Sequence, residues 1–403
     1  MRLLNKERWA VGGAMACLIA AVAGSVALAI WLVPLPNPKG FGITQVDYGQ
    51  LEGWKVDLQG QTLKALHRSC AVMARLPAMR AIGSDAIAGY ARDWREPCEA
   101  SKSIDIQDHV AARDFFEVWF EPFLVTYDGD DGGLFTGYYE PTLEGSLTAN
   151  SQYTTPLLAR PKNLVTVKLG EFNREWRGDR IAGQVISGRL RPYATRAEIV
   201  AGALREKGLE LVWVNDPIDV FFMHIQGSGR IALPDGHIIR LAYDGQNGHP
   251  YTSLGRELIK DGALSRDEVS MQSIRTWLES NPDRRGEMIN RNASFIFFRV
   301  IDRDGPVGAQ NVVLTPQRSL AVDRRFIPLG VPIWLETKVP RRKGEDEFWR
   351  RLMVAQDTGG AIRGAVRGDV FWGAGDEAAE VAGRMKHNGR YYMLLPRVLS
   401  EGV

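Results

Sequence analysis

The sequence predicts a mainly β protein with helices, organised as two domains. Three observations carry this. The chain has 403 residues, too many for one ordinary hydrophobic core and enough for about two domains. Beyond residue 120, short apolar runs alternate with glycine, proline and aspartate turns, the texture of strands. Convincing helices are few and scattered among them, which suggests barrels decorated with helices.

Arg2, Lys6 and Arg8 are followed by a run from Trp9 to Asn37 without a charge, long enough to cross a hydrocarbon core of about 30 Å as a helix. Residues 1–36 are therefore expected to be an N-terminal membrane anchor or signal segment. Ala21-Val22-Ala23 and Ala27-Leu28-Ala29 offer cleavage sites, but Ile30-Trp31-Leu32-Val33 continues the apolar run beyond both, favouring an uncleaved anchor. Cys17 offers a lipidation site, although the apolar run before it is short. Basic residues on the N-terminal side put the remainder outside the cytoplasm. Cys70 and Cys98 then sit where disulfides persist, and they are expected to pair. Fifty basic residues against 48 acidic leave a net charge of +2, with no basic block interleaved with aromatics, so no nucleic-acid partner is expected. The charged run from Pro340 to Glu347 reads as a solvated loop.

Pro34, Pro36 and Pro38 make a stiff exit from the anchor. Leu63, Leu66, Cys70, Met73 and Leu76 recur at helical spacing up to Pro77. A second helix is expected over about 110–120. Residues 123–126 and 134–139 read as two strands around a hairpin, joined by the turn-rich stretch Asp128 to Gly133. Further strands are expected near 184–187, 210–215, 218–225, 229–233 and 237–243. Three helices interrupt the rest: one opened by the capping box Thr195-x-x-Glu198 and stopping at Gly208, one opened by Ser265-x-x-Glu268 with Met271, Ile274 and Leu278 on one face, and one from about Asp376 to Met385.

Asp357-Thr358-Gly359 raises the question of an acid site. An aspartic protease needs two aspartates sharing a proton, and no second Asp-Thr-Gly or Asp-Ser-Gly is present. The six histidines show no i, i+4 pair and no cysteines in zinc-ligand spacing, so no metal and no cofactor is expected. Ser228 lacks the preceding glycine of a nucleophile elbow; Gly227 and Gly229 read better as a turn that lets backbone approach a ligand. Asp357 follows apolar Leu352-Met353-Val354 and is ringed by Gly359, Gly360, Gly364 and Gly368. Such an acid can be partly desolvated, which raises its pKa and keeps a proton for donation. On its own, an Asp-Thr-Gly turn reads first as an aspartate bonding turn amides.

The wider context changes that reading. Thr315-Pro316, Arg318-Ser319-Leu320-Ala321-Val322-Asp323, Ile327-Pro328-Leu329-Gly330, Gln356-Asp357-Thr358-Gly359-Gly360 and Gly368-Asp369 together resemble the C-terminal domain named for three aspartates. Gly137-Tyr138-Tyr139-Glu140-Pro141, Phe222 to Gly229, and Tyr243-x-Gly245-x-Asn247-Gly248 resemble the domain specific to the MltA family of lytic murein transglycosylases. The likeness runs over about residues 120–403. It implies a double-psi β-barrel domain built from 37–136 and 293–403, a second β-barrel domain inserted over 137–292, and a substrate groove between them.

It also implies cleavage of the bond between N-acetylmuramic acid and N-acetylglucosamine in peptidoglycan, with a 1,6-anhydromuramoyl product. Asp357 aligns with the family's catalytic aspartate. Asp323 and Asp369 match the other two and either orient Asp357 or bond substrate, or else shape barrel turns with Arg324, Arg325 or Arg367. Gly137, Tyr138, Tyr139, Gln226, Gly227, Ser228, Tyr243, Asp244, Gly359 and Gly360 are candidate groove residues; strand alternation sends one of Tyr138 and Tyr139 inward and the other outward. Peptidoglycan glycan strands, the membrane and other cell-wall enzymes are the expected partners, and the periplasmic side of the envelope the expected location. An inverting glycosidase with Asp323, Asp369 or another acidic residue across a water-sized gap as its second carboxylate, and a non-catalytic peptidoglycan-binding scaffold, stay open as alternatives.

Overall fold

The computed structural model describes residues 40–176, 179–341 and 344–399. The anchor expected over residues 1–36, with Cys17 inside it, lies outside these; among the described residues no helix is long and apolar enough to cross a membrane. β1 (Phe41–Gln45), β2 (Phe120–Tyr127) and β3 (Gly133–Glu140) come first. A middle group follows: β4 (Thr142–Ser146), β5 (Thr155–Leu158), β6 (Val165–Lys168), β7 (Arg180–Ile186), β8 (Arg189–Pro192), β9 (Glu210–Val214), β10 (Ser228–Ala232), β11 (Ile238–Gln246) and β12 (Ile296–Ile301). The last are β13 (Ser319–Val322), β14 (Pro332–Val339), β15 (Glu347–Asp357), β16 (Arg367–Ala374) and β17 (Lys386–Pro396).

The first and last groups share one sheet, in the order β1-β2-β17-β14-β15-β13-β16-β3, and β3 pairs back onto β17. Six strands therefore close on themselves, which removes their free edges. Within this barrel β13 runs parallel to β15, and β3 parallel to β16. The middle group forms a second six-stranded sheet, β12-β11-β10-β4-β9-β5. It too closes, through a bridge between Ala159 and Phe298. β6, β7 and β8 make a separate three-stranded sheet. The expected pair of barrels, one inserted in the other, is thus what the sheets form.

The crossings differ from the expected 137 and 293. β3 stays in the first sheet to Glu140, pairing Gly137 with Val370 and Tyr138 with Phe371. At the other crossing, β12 belongs to the second barrel, paired with β11, because Phe297 and Phe298 bury in that lobe's cores.

The helix Gly60–Met73 buries Leu63, Leu66, Cys70 and Met73 against the first barrel, as their spacing predicts. Cys70 is bonded to Cys98, as expected. The bridge spans 28 residues of sequence, and removing both thiols by Cys→Ala is expected to cost about 3 kcal/mol through the freer unfolded chain. A urea midpoint unchanged from the parent's would contradict this.

Five expectations need correction. The strands over 123–126 and 134–139 exist but are no hairpin: β17 lies between β2 and β3, pairing with both. Residues 218–225 are not a strand but part of the helix Pro217–Gln226. Asp216 caps its start, Pro217 is its first residue, and Gly227 ends it at φ 77°. Its run is apolar on all sides because Val220 and Met223 enter one core and Ile218, Phe221 and Phe222 another, which hides the helical period. The capping box at Thr195 forms, but the helix breaks at Gly202 (φ 112°) rather than Gly208. Ser265 does bond Glu268, yet only a turn results; the helix carrying Ile274 and Leu278 is Met271–Ser280, capped by Ser270. Leu254–Lys260 and Pro282–Asn290 are further helices beyond the three expected, whereas Asp376–Arg384 is as expected.

Candidate active site

Asp357 is the last residue of β15. The five residues before it are buried, so the strand carries its carboxylate from the barrel core to the rim. A register shift between Leu320 and Ala321 in the pairing of β13 with β15 re-aims the strand end. Asp357 Oδ1 accepts the backbone N–H of Thr358 and of Ala309, each at 2.8 Å. Oδ2 accepts the Tyr138 hydroxyl at 2.9 Å. Asp357 as a residue is half-buried, and its carboxyl is packed so closely that desolvation raises its pKa to about 6, against the pull of those three donors; the charge of Asp369 adds to the rise. An acid with that value exists in both protonation states near neutrality.

The other two aspartates are committed elsewhere. Asp323 is 2 % exposed and is gripped by the Arg325 guanidinium, with its Oδ2 also accepting the Gly364 N–H at 2.9 Å. Burial pushes its carboxyl up, but Arg325 and the amides outweigh burial and hold it below the usual range. It pins the far end of the loop that starts at Gly359, while Thr358 Oγ1 donates to Val322 O at 2.8 Å and pins the near end. Asp369 on β16 accepts from the Thr136 hydroxyl and pairs with Arg367.

Tyr138 and Tyr139 do point opposite ways. Tyr138 turns to Asp357 with its ring against Phe371, 5.3 Å between centroids. Burial, and then Asp357, raise its phenol well above the usual value, so it stays a donor. Tyr139 lines a cavity of about 200 Å³ between the lobes with Asp219, Phe222, Arg275 and Asp376, and its N–H donates to Gln226 Oε1 at 3.1 Å. Gly137 has no room for a side chain: a Cβ there would lie 2.7 Å from Trp372 and 2.8 Å from Ala382. It serves packing. Gly227 is the helix cap described above, and Ser228 opens β10 opposite Ala242. Tyr243 is 39 % exposed and Asp244 pairs with Arg299 at 3.5 Å, both at the irregularity of β11. Gly359 and Gly360 form the turn after Asp357, Gly360 being exposed. His224, close to Ser228 in sequence, is buried in the inserted lobe, where its Nδ1 meets Arg196 at 3.0 Å; burial and that cation hold it well below the usual imidazole value.

Two parts of the site were not anticipated. The Ala309 amide is backbone, and no side-chain pattern announces it. Glu140, inside the Gly137–Pro141 motif, is 3 % exposed and lies 3.6 Å from Arg230 and 3.5 Å from Arg240 where the chain crosses between lobes. Its pKa is raised by burial, with the two arginines opposing.

Tyr138→Phe deletes a donor to the charged form of Asp357, so the carboxyl midpoint is expected to rise by up to about one pH unit. Carbon NMR of the Asp357 carboxyl measures it, and a midpoint at or below the parent's would contradict the assignment.

Known proteins share the sequence and fold that carry this geometry. The family model described as the MltA specific insert domain matches residues 134–299, and that of the 3D domain matches residues 318–395. The crystal structure of a membrane-bound lytic murein transglycosylase from Agrobacterium tumefaciens superposes with a TM-score of 0.79 at 33 % identity, covering 89 % of this chain and 99 % of that one. The chain belongs to the MltA family. The curated membrane-bound lytic murein transglycosylase A of Escherichia coli (strain K12) is 35 % identical over 264 residues, 64 % of this chain and 65 % of that relative's length. E. coli MltA with bound chitohexaose matches with a TM-score of 0.66 at 28 % identity, over 90 % of this chain and 96 % of that one. In this MltA-family chain the 3D match holds all three aspartates, and the insert match runs from β3 into β12.

Proposed function

We propose that this chain is a lytic transglycosylase of peptidoglycan, acting in cell-wall turnover and remodelling. It cleaves the β-1,4 bond between N-acetylmuramic acid and N-acetylglucosamine and leaves a 1,6-anhydromuramoyl end. The observation that carries this reading is that, of the three aspartates in the 3D match, Asp357 alone has no arginine partner among the described residues and has its pKa raised to about 6, while Asp323 and Asp369 are held by Arg325 and Arg367. An inverting hydrolase needs a second carboxylate to activate water, and neither Asp323 nor Asp369 is free of its arginine to serve. The C6 hydroxyl of the muramic acid is already tethered to the reacting ring, so proximity replaces the second carboxylate.

Asp357 protonates the glycosidic oxygen as its bond to C1 breaks. The resulting carboxylate then takes the C6 hydroxyl proton as O6 bonds to C1, and the acid is restored with no water consumed. The Ala309 and Thr358 amides and the Tyr138 hydroxyl stabilise the carboxylate between the two steps. Gln226, Gly227, Ser228, Tyr243, Asp244, Gly359 and Gly360 are assigned to the glycan groove between the lobes, a reading supported by the relative that binds chitohexaose. Residues 1–36 anchor the protein to the membrane, with both lobes on the periplasmic side beside other cell-wall enzymes; the relative's printed name, membrane-bound, is consistent with this.

The test is digestion of purified peptidoglycan by the detergent-solubilised chain, with the products weighed. Muropeptides lighter by one water than their reducing counterparts are expected. Reducing ends would make water the nucleophile and overturn the mechanism. Because the first step needs the protonated acid, turnover is expected to fall as pH rises through about 6, the value to which burial raises Asp357.

A further inference from the structure

One of the three donors on Asp357 comes from the segment that returns from the inserted lobe to the barrel, and what holds that segment is buried. Gln310, next to Ala309, donates its N–H to Gln356 O at 3.0 Å. Ser69 of the helix Gly60–Met73 donates its hydroxyl to Gln310 Oε1 at 2.7 Å and accepts from Gln356 Nε2 at 2.8 Å. Gln356 Nε2 also donates to Ala65 O at 2.8 Å, and Gln356 Oε1 accepts the Ser319 hydroxyl at 2.6 Å. Ser69, Ser319 and Gln356 are fully buried and Gln310 is nearly so. The bonds close a ring: Gln310 to Gln356 through the main chain, and back through Ser69. A Cβ at Gly308 would lie 2.6 Å from Gln356 O, so the two segments touch backbone to backbone beside Asp357.

We propose that Ser69 is a positioning residue for Asp357, acting through Gln310 and Gln356 to keep the Ala309 N–H on Oδ1. The proposal rests on the reading of Asp357 as the acid of the reaction. Ser69 touches neither substrate nor Asp357. Among the described residues it is the one hydroxyl that bonds the side chains of both glutamines, so its loss leaves a buried acceptor on Gln310 and a buried donor on Gln356 without a partner in the ring. Such orphaned groups cost more than the bond itself, and the segment carrying Ala309 is the one free to move away. The ionisable groups facing Asp357 are Tyr138 on β3 and Asp369 on β16, and neither belongs to this ring. A loosened amide therefore reaches the carboxyl without altering the charges around it. A hydrogen bond to the charged form lowers an acid's pKa, so losing it must raise the midpoint.

The test is the titration of the Asp357 carboxyl by carbon NMR in the solubilised full chain, beside the pH profile of peptidoglycan digestion. Ser69→Ala is expected to raise the midpoint by about one pH unit and to move the alkaline limb of the profile upward with it, with KM little changed. A folded Ser69→Ala with the parent's midpoint overturns the proposal, since a purely structural role lowers stability without moving the titration. Should Ser69→Ala fail to fold, Gln310→Met removes the same acceptor from the return segment, and the same two outcomes apply to it. The titration does not depend on turnover: a raised midpoint in a parent that makes no anhydro product supports the positioning and overturns only the transglycosylase reading.

Discussion

Asparagine in place of Asp357 is expected to leave a folded protein whose release of anhydro-muropeptides is lower by about 10³-fold or more, the scale of a lost general acid. The same variant has a stability signature whose sign is fixed. Burial raises the Asp357 carboxyl from 3.8 to about 6, so the folded chain binds that proton more tightly than the unfolded chain. The carboxylate is therefore destabilising above about pH 6, and this disadvantage fades as pH falls toward 3.8, below which the side chain is neutral in both states. Asp357→Asn should be more stable than the parent at pH 8 and equal to it near pH 3.5. Denaturant midpoints at the two pH values test this, and residual turnover near the parental level would end the assignment of Asp357 as the acid.

The second large effect concerns stability alone. Arg318 is 2 % exposed and bonds both oxygens of buried Asp57, at 2.8 and 3.0 Å, together with Leu352 O at 3.0 Å. Asp57 in turn accepts the Leu352 N–H at 3.0 Å. This cluster ties the segment before the helix Gly60–Met73 to β13 and β15. Asp57→Ala leaves a buried guanidinium without its counter-charge, a loss of about 3–5 kcal/mol. Asp57→Leu combined with Arg318→Met removes both charges and is expected to recover most of that loss. Urea unfolding of the single and double variants decides the matter; a single variant within about 1 kcal/mol of the parent would show that the pair contributes little.

Strands were legible where one face is solvated or turns are dense, as for β3, β9, β10 and β11. The helix Pro217–Gln226 was not, because burial on several sides erased its period and left a run that reads equally as a strand. The false hairpin has a different cause: β17, more than 250 residues downstream of β2, enters between β2 and β3, and no local signal carries that. Asp357 was legible through the motif around it, and the opposite pointing of Tyr138 and Tyr139 through strand alternation. The partners of Asp323 and Asp369, Arg325 and Arg367, stood among the named possibilities; which possibility applied depended on tertiary geometry. The Ala309 amide and the Ser69 ring were invisible, because backbone donors and buried serines carry no composition signature.

The interrupted barrel has a consequence for the order in which the molecule assembles. Thr136 and Asp369 meet across 233 residues of sequence, and contacts so distant slow folding because their loops must close first. The second barrel lies wholly within that loop and pairs only with itself. Once it has formed, its ends emerge near each other and the open loop shrinks to roughly 70 residues, lowering the entropy of closure by about 1 kcal/mol. The lobe that lacks Asp357 therefore favours closure of the first barrel when it folds first. Substitutions that slow folding of the insert without unfolding it should slow recovery of the first barrel when the chain refolds from denaturant.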